Sequence, residues 1–481
     1  MVETAIYSKN KVQLADYDYQ KDLRNRELMA QFSEKDVALI DEMICSPARV
    51  SLINLSRQAN QSVEETLSIL DKLAPTGLFT CDGEYVTIDK EPRKYFEVEL
   101  LKFEDTFAPT LDFLRLQLKK VPLDALMSWY PIPRTSNNIF ESLIEKYFKK
   151  PLVFQRYLQD LDLEDATFNA VKEDLLHSCE KKLYAAKIKK KYGLTAAEFQ
   201  KMALLFEFNF VAFLCYEKQG EQWTEVLTLF QEWKDYLAFM QNSSTKKVSS
   251  PHAVVSTRPE EFSFVEDIST LLHLARTIDV YVEIDAKERW VFERQTLTAC
   301  SSHFKGFDLE SKEGQEIFFD YLCRLIKKLL LIKLATIDER KLTPASHTSE
   351  WLDLAIDQRA LHLYKLTTTH YSFSEFPSEI CNDRTLREVE KSVRRIKTNG
   401  WVFFDDFMAG VIVPIGKDNA MELKQIGRSW KYKRPIYSVE ERALIKKVIY
   451  DWLFEAGVIQ TGTLEGKECL RMTSFGQAAF G

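Results

Sequence analysis

Apolar residues recur at helical spacing through residues 27–90 and predict a compact unit. Ser33 can cap a first helix with Ile40 and Ile44 on one face, and a short second helix follows over residues 51–58. A third helix has apolar residues at i, i+4, i+7 and i+11, namely Val63, Leu67, Leu70 and Ala74. A turn at Asp82–Gly83 between two apolar runs predicts a β-hairpin. Three helices followed by a hairpin is the order of a winged helix.

The same closing order recurs twice more along the chain. Residues 313–343 predict a helix, an apolar strand, a polar turn and a second strand, and residues 438–473 repeat this order after a capping box at Ser438. The C-terminal helix has an apolar face made of Ile445, Val448, Trp452 and Ala456. We therefore expect a mainly α fold with small β-hairpins, built from tandem winged-helix-like units around a helical middle region.

Composition shifts and turn residues divide the chain into six segments. The clearest break is rich in Ser and Lys and poor in apolar residues, as linkers are. The predicted segments are a polar N-terminal tail (1–26), a winged-helix unit (27–100), a mostly helical region (101–242), a linker (243–261), a helical and winged-helix unit (262–370) and a C-terminal winged-helix unit (371–481).

The order of elements in the second half resembles a known family. A helix from Val265, a strand over 281–284, the helix and hairpin of 313–343 and the closing phrase 470–476 follow one another in that family's order. The segment 262–481 resembles bacterial proteins similar to the N-terminal, non-motor domain of XPB-type DNA helicases. The resemblance rests on element order and apolar spacing, and it implies a helicase-associated or DNA-related accessory role without ATPase activity.

Composition and motifs argue against a nucleotide-binding enzyme, and no other catalytic motif is present in the sequence. Only 15 of 481 residues are glycine, whereas phosphate-binding loops and dinucleotide folds depend on glycine. The string at 462–468 has the wrong spacing for a phosphate loop and carries Glu468 where Ser or Thr must bind magnesium. The eight cysteines are scattered without a C-x-x-C pair, which fits neither zinc sites nor disulfide frameworks. We expect a non-enzyme with no cofactor and no metal.

The N-terminus and the apolar runs bear on location. The N-terminus, which starts with residues 1–4, shows neither the basic region nor the apolar region of a signal peptide, so no signal peptide is predicted. Lysines interrupt the longest apolar run, at 329–332, within a few residues on either side, so membrane insertion is not expected. These features, with the unpaired cysteines, predict a cytoplasmic protein.

Charge points to two candidate surfaces. Residues 27–90 hold 11 acidic and 5 basic residues, and the third helix carries Glu64, Glu65 and Asp71. Carboxylates on the helix that enters a DNA groove would oppose the phosphates, so we interpret this face as a protein-contact or intramolecular surface.

The second surface lies in residues 371–481, which hold 17 basic and 15 acidic residues in a chain that is net negative. Its densest string holds cations that contact phosphates and aromatics that stack on bases, namely Arg428, Trp430, Lys431, Tyr432, Lys433 and Arg434. Cations on an upstream helix can extend it, namely Lys391, Arg394, Arg395 and Lys397. The alternative is a solvated loop with Trp430 anchored in the core.

Two functions stay open at this point. The first is a non-enzymatic nucleic-acid-associated accessory or assembly protein, with DNA, single-stranded nucleic acid or a helicase among its partners. The second is a protein-interaction scaffold that does not bind nucleic acid directly. Binding to DNA at two salt concentrations separates them, because phosphate contacts give a steep salt dependence.

Overall fold

A computed structural model describes residues 11–132, 138–220, 222–284, 290–292, 294–304, 306–307, 309–365, 376–416, 420–427 and 429–480. Over these residues the protein is mainly helical with small β-sheets, which confirms the predicted class. It forms two compact units. The first runs to Ala238 and includes Glu422–Lys433, and the second contains Phe239–Met421 and Arg434 onward.

The first unit begins with a helix and then a six-element motif. The helix is α1 (Tyr19–Met29). The motif comprises α2 (Glu34–Cys45), β1 (Arg49–Ser51), α3 (Leu52–Gln58), α4 (Val63–Leu73), β2 (Phe79–Cys81) and β3 (Tyr85–Ile88), and α5 (Lys90–Glu99) follows it. The three strands are antiparallel in the order β1-β3-β2. The predicted helices and hairpin are thus present. The expected polar tail is wrong for residues 11–26, because α1 begins within them and buries Asp22 and Arg26.

The region 101–242 contains both helices and a sheet. Its helices are α6 (Leu111–Leu118), α7 (Leu123–Trp129), α8 (Ile139–Leu143, continued by a π-helical turn at Ile144–Phe148) and α9 (Pro151–Asp160). Next come α10 (Ala166–His177), β4 (Lys182–Tyr184), α11 (Ala185–Tyr192), α12 (Ala196–Phe208), β5 (Phe213–Gln219), β6 (Gln222–Thr228) and α13 (Gln231–Asn242). The strand order is β4-β6-β5. The sequence did not predict this sheet.

Residues 243–261 are packed into the second unit and do not form the expected linker. Val248 is buried and its N–H donates to the carbonyl of Trp401 at 2.8 Å. The short strand β7 (Val255–Ser256) pairs with a later strand through Gly462. A Cβ at Gly462 would lie 2.6 Å from the carbonyl oxygen of Val255, so the close approach of these strands requires glycine.

The rest of the second unit repeats the motif. Its first part holds α14 (Ser263–Thr277), β8 (Val282–Ile284), β9 (Trp290–Phe292), α15 (Arg294–Ser301), α16 (Lys312–Leu331), β10 (Ala335–Asp338), β11 (Lys341–Pro344), α17 (Thr348–Leu352) and α18 (Ile356–Tyr364). Its second part holds α19 (Asp383–Ser392), β12 (Val402–Phe403), α20 (Phe404–Ala409), α21 (Val439–Lys447, continued by a π-helical turn at Val448–Leu453), β15 (Ile459–Leu464), β16 (Lys467–Met472) and α22 (Ser474–Ala479). The strands β13 (Glu422–Ile426) and β14 (Ser429–Lys433) come between α20 and α21 in the chain but belong to the first unit. The predicted apolar face of the C-terminal helix is confirmed as buried.

The described residues thus contain one helix–strand–helix–helix–strand–strand motif three times, and a fourth copy that has an extra strand, β9, after its first strand. We call these copy 1 (34–88), copy 2 (166–228), copy 3 (263–344) and copy 4 (383–472). In copies 1, 2 and 4 the first strand lies beside the third, and the third pairs with the second. In copy 3 β8 pairs with β9 and β10 pairs with β11, and a single bridge between Tyr281 and Lys341 links the two pairs. The hairpin β13–β14 interrupts copy 4 and belongs to the first unit.

Candidate functional site

The predicted basic string lies on the two-faced hairpin β13–β14. Cross-strand partners in an antiparallel pair lie on the same face. Leu423 pairs with Tyr432 and Gln425 with Trp430, which defines the inner face of the hairpin. Lys424 pairs with Lys431, so these two cations lie on the opposite, outer face.

The inner face packs on helices of the first unit. The Tyr432 hydroxyl donates to the carbonyl of Phe148 at 2.9 Å, and the Trp430 and Phe140 ring centroids are 6.1 Å apart. Burial raises the pKa of Tyr432. The expected stacking of Trp430 and Tyr432 on bases is therefore not supported, because both rings contact protein. The geometry matches the alternative in which Trp430 is an anchor.

The outer face presents cations to solvent. Lys424, Lys431 and Lys433 are exposed, and none of the three forms an ion pair within the described part of the chain. Ile426, near the tip, is 54% exposed. Arg434 follows the hairpin and belongs to the second unit, where its guanidinium lies 4.1 Å from the centre of the Phe239 ring. Arg428 lies outside the described residues.

The four upstream cations belong to the second unit, whereas the hairpin belongs to the first. Lys391 pairs with Glu388 at 2.8 Å, and Arg394 lies over the Phe480 ring. Arg395 donates to the carbonyl of Ser243 at 2.5 Å, and Lys397 is half-buried. Lys391 and Arg395 are thus engaged within their own unit, and no single unit holds the extended patch that the sequence suggested.

The acidic face of α4 is exposed, but its apolar stripe differs from the predicted one. Val63 and Leu67 are 40% and 41% exposed, while Ile69 and Leu73 are buried. Glu64 and Asp71 are exposed on the outward side. The sequence analysis therefore placed Val63 and Leu67 on the wrong side of α4. Residues four positions apart lie on one side of a helix, but this spacing does not show whether that side faces the core or the solvent.

Glu65 has a structural role at the start of α4. Its carboxylate accepts from the N–H of Ser62 at 2.9 Å in a capping box and binds the Lys35 ammonium at 2.7 Å. The bonds from Lys35 and then Ser62 lower the pKa of Glu65 to about 2. The predicted interaction face thus consists of Glu64 and Asp71, with Glu65 engaged in the cap.

The third helices of the other copies differ in exposure. In copy 2, α12 is buried over most of its length. In copy 3, α16 exposes Ile317 among three carboxylates, namely Glu313, Glu316 and Asp320. In copy 4, Val439 is 86% exposed, and Arg442 pairs with Asp405. The same helix, α21, also carries Lys446 and Lys447, which pair with Glu468 and Asp451.

Sequence reasoning missed a buried ionic cluster in the first unit, which consists of Asp22, Arg26, Glu99, Lys102, Lys120 and Glu207. Arg26 donates to both carboxylate oxygens of Glu207, at 3.1 and 2.5 Å, and Lys102 lies 3.3 Å from the same carboxylate. Burial favours the neutral form of Glu99, but Lys102 and Lys120 outweigh it and hold the pKa of that carboxyl well below its usual value. The three negative charges of the cluster balance its three positive charges. We therefore interpret it as a structural cluster that holds α1, α12 and the end of α5 together.

No protein-family model matches the chain, and no curated protein matches it. The resemblance to the non-motor domain of XPB-type helicases therefore stays a prediction. Among the described helices, none has the length and apolar character needed to cross a membrane. In the same part of the chain, no group of three or more His, Cys, Asp or Glu side chains is arranged to hold a metal ion.

Proposed function

We propose that the protein is a non-enzymatic assembly protein in which the third helices of two winged-helix-like copies, copy 1 and copy 3, bind protein partners. The observation that carries the proposal is the acidic outward side of two third helices. Glu64 and Asp71 lie on α4, and Glu313 and Asp320 lie on α16.

The third helix of a winged helix is the one that enters a DNA groove. Affinity there comes largely from cations that neutralise phosphates, so outward carboxylates oppose groove binding. The α4 side also exposes Val63 and Leu67 beside its acids, and apolar residues with a charged rim are typical of protein interfaces. The resemblance in residues 262–481 supports a helicase as one such partner.

Charge reversal on α4 tests this proposal. A photo-crosslinking residue at Leu67 captures the partner in cells, and the purified partner is then titrated with the parent protein and with Glu64→Lys/Asp71→Lys. We expect the double variant to lose at least about tenfold in affinity, since opposed like charges cost several kcal/mol across an interface. The matched control is Asp124→Lys/Glu141→Lys, two exposed acids elsewhere in the same unit. Equal affinity of both double variants would contradict the proposal.

A second candidate function is contact with a nucleic-acid backbone through the outer face of β13–β14. Its support is the row of Lys424, Lys431 and Lys433, which are exposed and free of ion pairs within the described residues. Each lysine that neutralises a phosphate contributes about one to the slope of log affinity against log salt. Lys431→Ala/Lys433→Ala should therefore lower the slope by about two.

The control for the hairpin is Lys391→Ala/Lys397→Ala, which should leave the slope unchanged. Trp430→Ala should lower the melting temperature and leave the slope unchanged, because its ring packs on Phe140. A slope that is the same in the parent and the hairpin double variant would exclude this surface.

A further inference from the structure

A small cavity in the first unit is lined by four aromatic side chains. Trp129 and Tyr130 line it at the end of α7, Tyr147 lines it from the π-helical turn after α8, and Tyr157 lines it from α9. The volume of the cavity is about 160 Å³, which is less than the ~300–1,000 Å³ of pockets that hold drug-sized ligands. The cavity therefore suits one compact chemical group.

Neighbouring rings of this set stand at steep angles to one another. The ring planes of Tyr147 and Tyr157 make an angle of 67°, with centroids 4.9 Å apart, and those of Tyr130 and Tyr147 make an angle of 71° at 6.4 Å. The planes of Trp129 and Tyr130 make an angle of 78°. Rings at such angles form adjoining walls rather than a flat stack, so they can surround one group from several sides.

A strained residue packs against three of these rings. Phe210 follows α12 with a φ of +58°, a left-handed conformation that favours glycine at the end of a helix and is rare for a bulky residue. Its ring stacks on Tyr130 at 5.1 Å and lies 5.4 Å from Tyr147 and 6.2 Å from Tyr157. The chain thus keeps an aromatic residue against the preference of its backbone, and that residue supports three of the four aromatic walls.

The charges around the cavity favour a cation. Leu205 and Asn209 line it from the C-terminal end of α12, which carries the negative end of the helix dipole. Asp162 and Glu164 also line the cavity and are exposed, so they lie at its opening. Lys11 lines it too and pairs with Glu164, whereas Asp162 forms no ion pair within the described part of the chain. Two carboxylates against one ammonium leave one negative charge at the opening.

The walls offer ring surface rather than free hydrogen-bonding groups. The Tyr130 hydroxyl donates to the carbonyl of Phe208 at 2.6 Å, and the Tyr157 hydroxyl donates to the carbonyl of Asn209 at 3.0 Å. A primary ammonium carries three N–H donors and would lose its hydrogen bonds to water between such rings. A quaternary ammonium has no N–H donor to satisfy and is attracted by the negative faces of aromatic rings.

We propose that this cavity binds a quaternary ammonium group, supplied by a free small molecule such as choline or by a trimethylated lysine of a partner protein. The aromatic rings surround the methyl groups as an aromatic cage does, and the carboxylates at the opening attract the positive charge. This inference is independent of the proposed assembly function, because the cavity shares no lining residue with α4 or α16.

The first test is calorimetric titration of the full chain with choline and with 3,3-dimethyl-1-butanol, the uncharged analogue in which carbon replaces the quaternary nitrogen. We expect saturable binding of choline and binding of the analogue that is at least about tenfold weaker, because the two molecules share a shape and differ in charge. This comparison uses only the parent protein, so it does not depend on the folding of any variant.

Variants of one ring locate the binding. Tyr157→Leu should weaken choline binding about tenfold or more, whereas Tyr157→Phe keeps the ring and should bind choline about as tightly as the parent. The matched control is Tyr184→Leu, which removes a half-buried tyrosine of β4 in the same unit and should leave choline binding unchanged.

A pair of peptides identifies the source of the group. A short peptide that carries trimethyllysine is titrated beside the same peptide with unmodified lysine, which should bind at least about tenfold more weakly if the trimethylated peptide binds. Comparison with choline shows which source the cavity prefers, and either preference supports the site. The proposal is overturned if neither choline nor the trimethylated peptide binds. Equal affinity for choline and its uncharged analogue, for the two peptides, or of the parent and Tyr157→Leu for choline would also overturn it.

Discussion

Helices α4 and α12 hold the same position in copies 1 and 2 but have opposite surroundings. Both begin with a capping box, at Ser62 and Thr195. The ninth residue after the cap is Asp71 in α4, which is exposed, and Leu204 in α12, which is fully buried. One motif can thus expose its third helix to solvent or bury it as core, and the polarity of the outward side decides which.

Among substitutions that remove a side chain without adding a charge, the largest effect should come from Glu207 at the buried end of α12. Glu207→Ala leaves Arg26 and Lys102 buried without their shared carboxylate, and we expect a loss of about 3–5 kcal/mol in the free energy of unfolding. Glu64→Ala in α4 should change it by less than about 0.5 kcal/mol, since that side chain is exposed. Urea denaturation of both variants measures the contrast, and similar losses would mean that the cluster contributes little to stability.

A buried carboxyl in α13, the helix that follows copy 2, should make the stability of the first unit depend on pH. Burial raises the pKa of Glu232 to about 7, while its carboxylate accepts from the N–H of Leu111 at 3.1 Å. The folded state therefore holds a proton that the unfolded state releases, so stability falls as pH rises from about 4.5 to about 7. Glu232→Gln should raise the free energy of unfolding by about 3 kcal/mol at pH 8 and hardly at all at pH 4. An equal gain at both values would assign the effect to packing.

Smaller effects should come from the two caps. Ser62→Ala and Thr195→Ala each remove the acceptor for an N–H in the first helical turn, at a cost of about 1 kcal/mol. The two losses should be similar despite the different burial of the helices, because both caps are exposed. Thermal melting of the two variants measures these losses. The control is Ser68→Ala, which removes an exposed serine of α4 that caps no helix and should leave the melting temperature unchanged.

The smallest effect on stability should come from the α4 side itself. Asp71→Leu converts the exposed position to the residue found in α12, and we expect a change within about 0.5 kcal/mol. The reverse change, Leu204→Asp, would bury an unpaired carboxylate and should prevent folding of the first unit. If Leu204→Asp instead melts like the parent, the opposite burial of the two helices is not determined by polarity.

Local signals explain which elements could be predicted. Capping residues and turn glycines identified α2, α4 and the hairpin of copy 1, and the capping box at Ser438 identified α21. Copy 2 was missed because α12 is apolar on nearly all sides, so no helical face stands out from the strands that follow. Asp22 and Arg26 look like a solvated tail in sequence, since burial of paired charges leaves no periodic pattern.

The two faces of the hairpin β13–β14 could have been predicted from the sequence of its second strand. From Ser429 to Lys433 polar and aromatic residues alternate, which is the period of a strand with two different faces. This alternation indicates that Trp430 and Tyr432 lie opposite Lys431 and Lys433. The sequence could not show that their face packs on Phe140 and Phe148, because that contact joins residues nearly 300 positions apart in the chain.

The hairpin β13–β14 also determines when the first unit can complete its fold during synthesis. Residues up to Ala238 leave the ribosome first, but their unit lacks Glu422–Lys433 until almost 200 further residues have been synthesised. At about 5–20 residues per second, the delay is on the order of 10–40 s. During that interval the surface that later receives Trp430 and Tyr432 is uncovered, so it is a natural place for a chaperone to bind. A fragment ending at Ala238 would keep that exposure permanently and should aggregate more readily than the full chain.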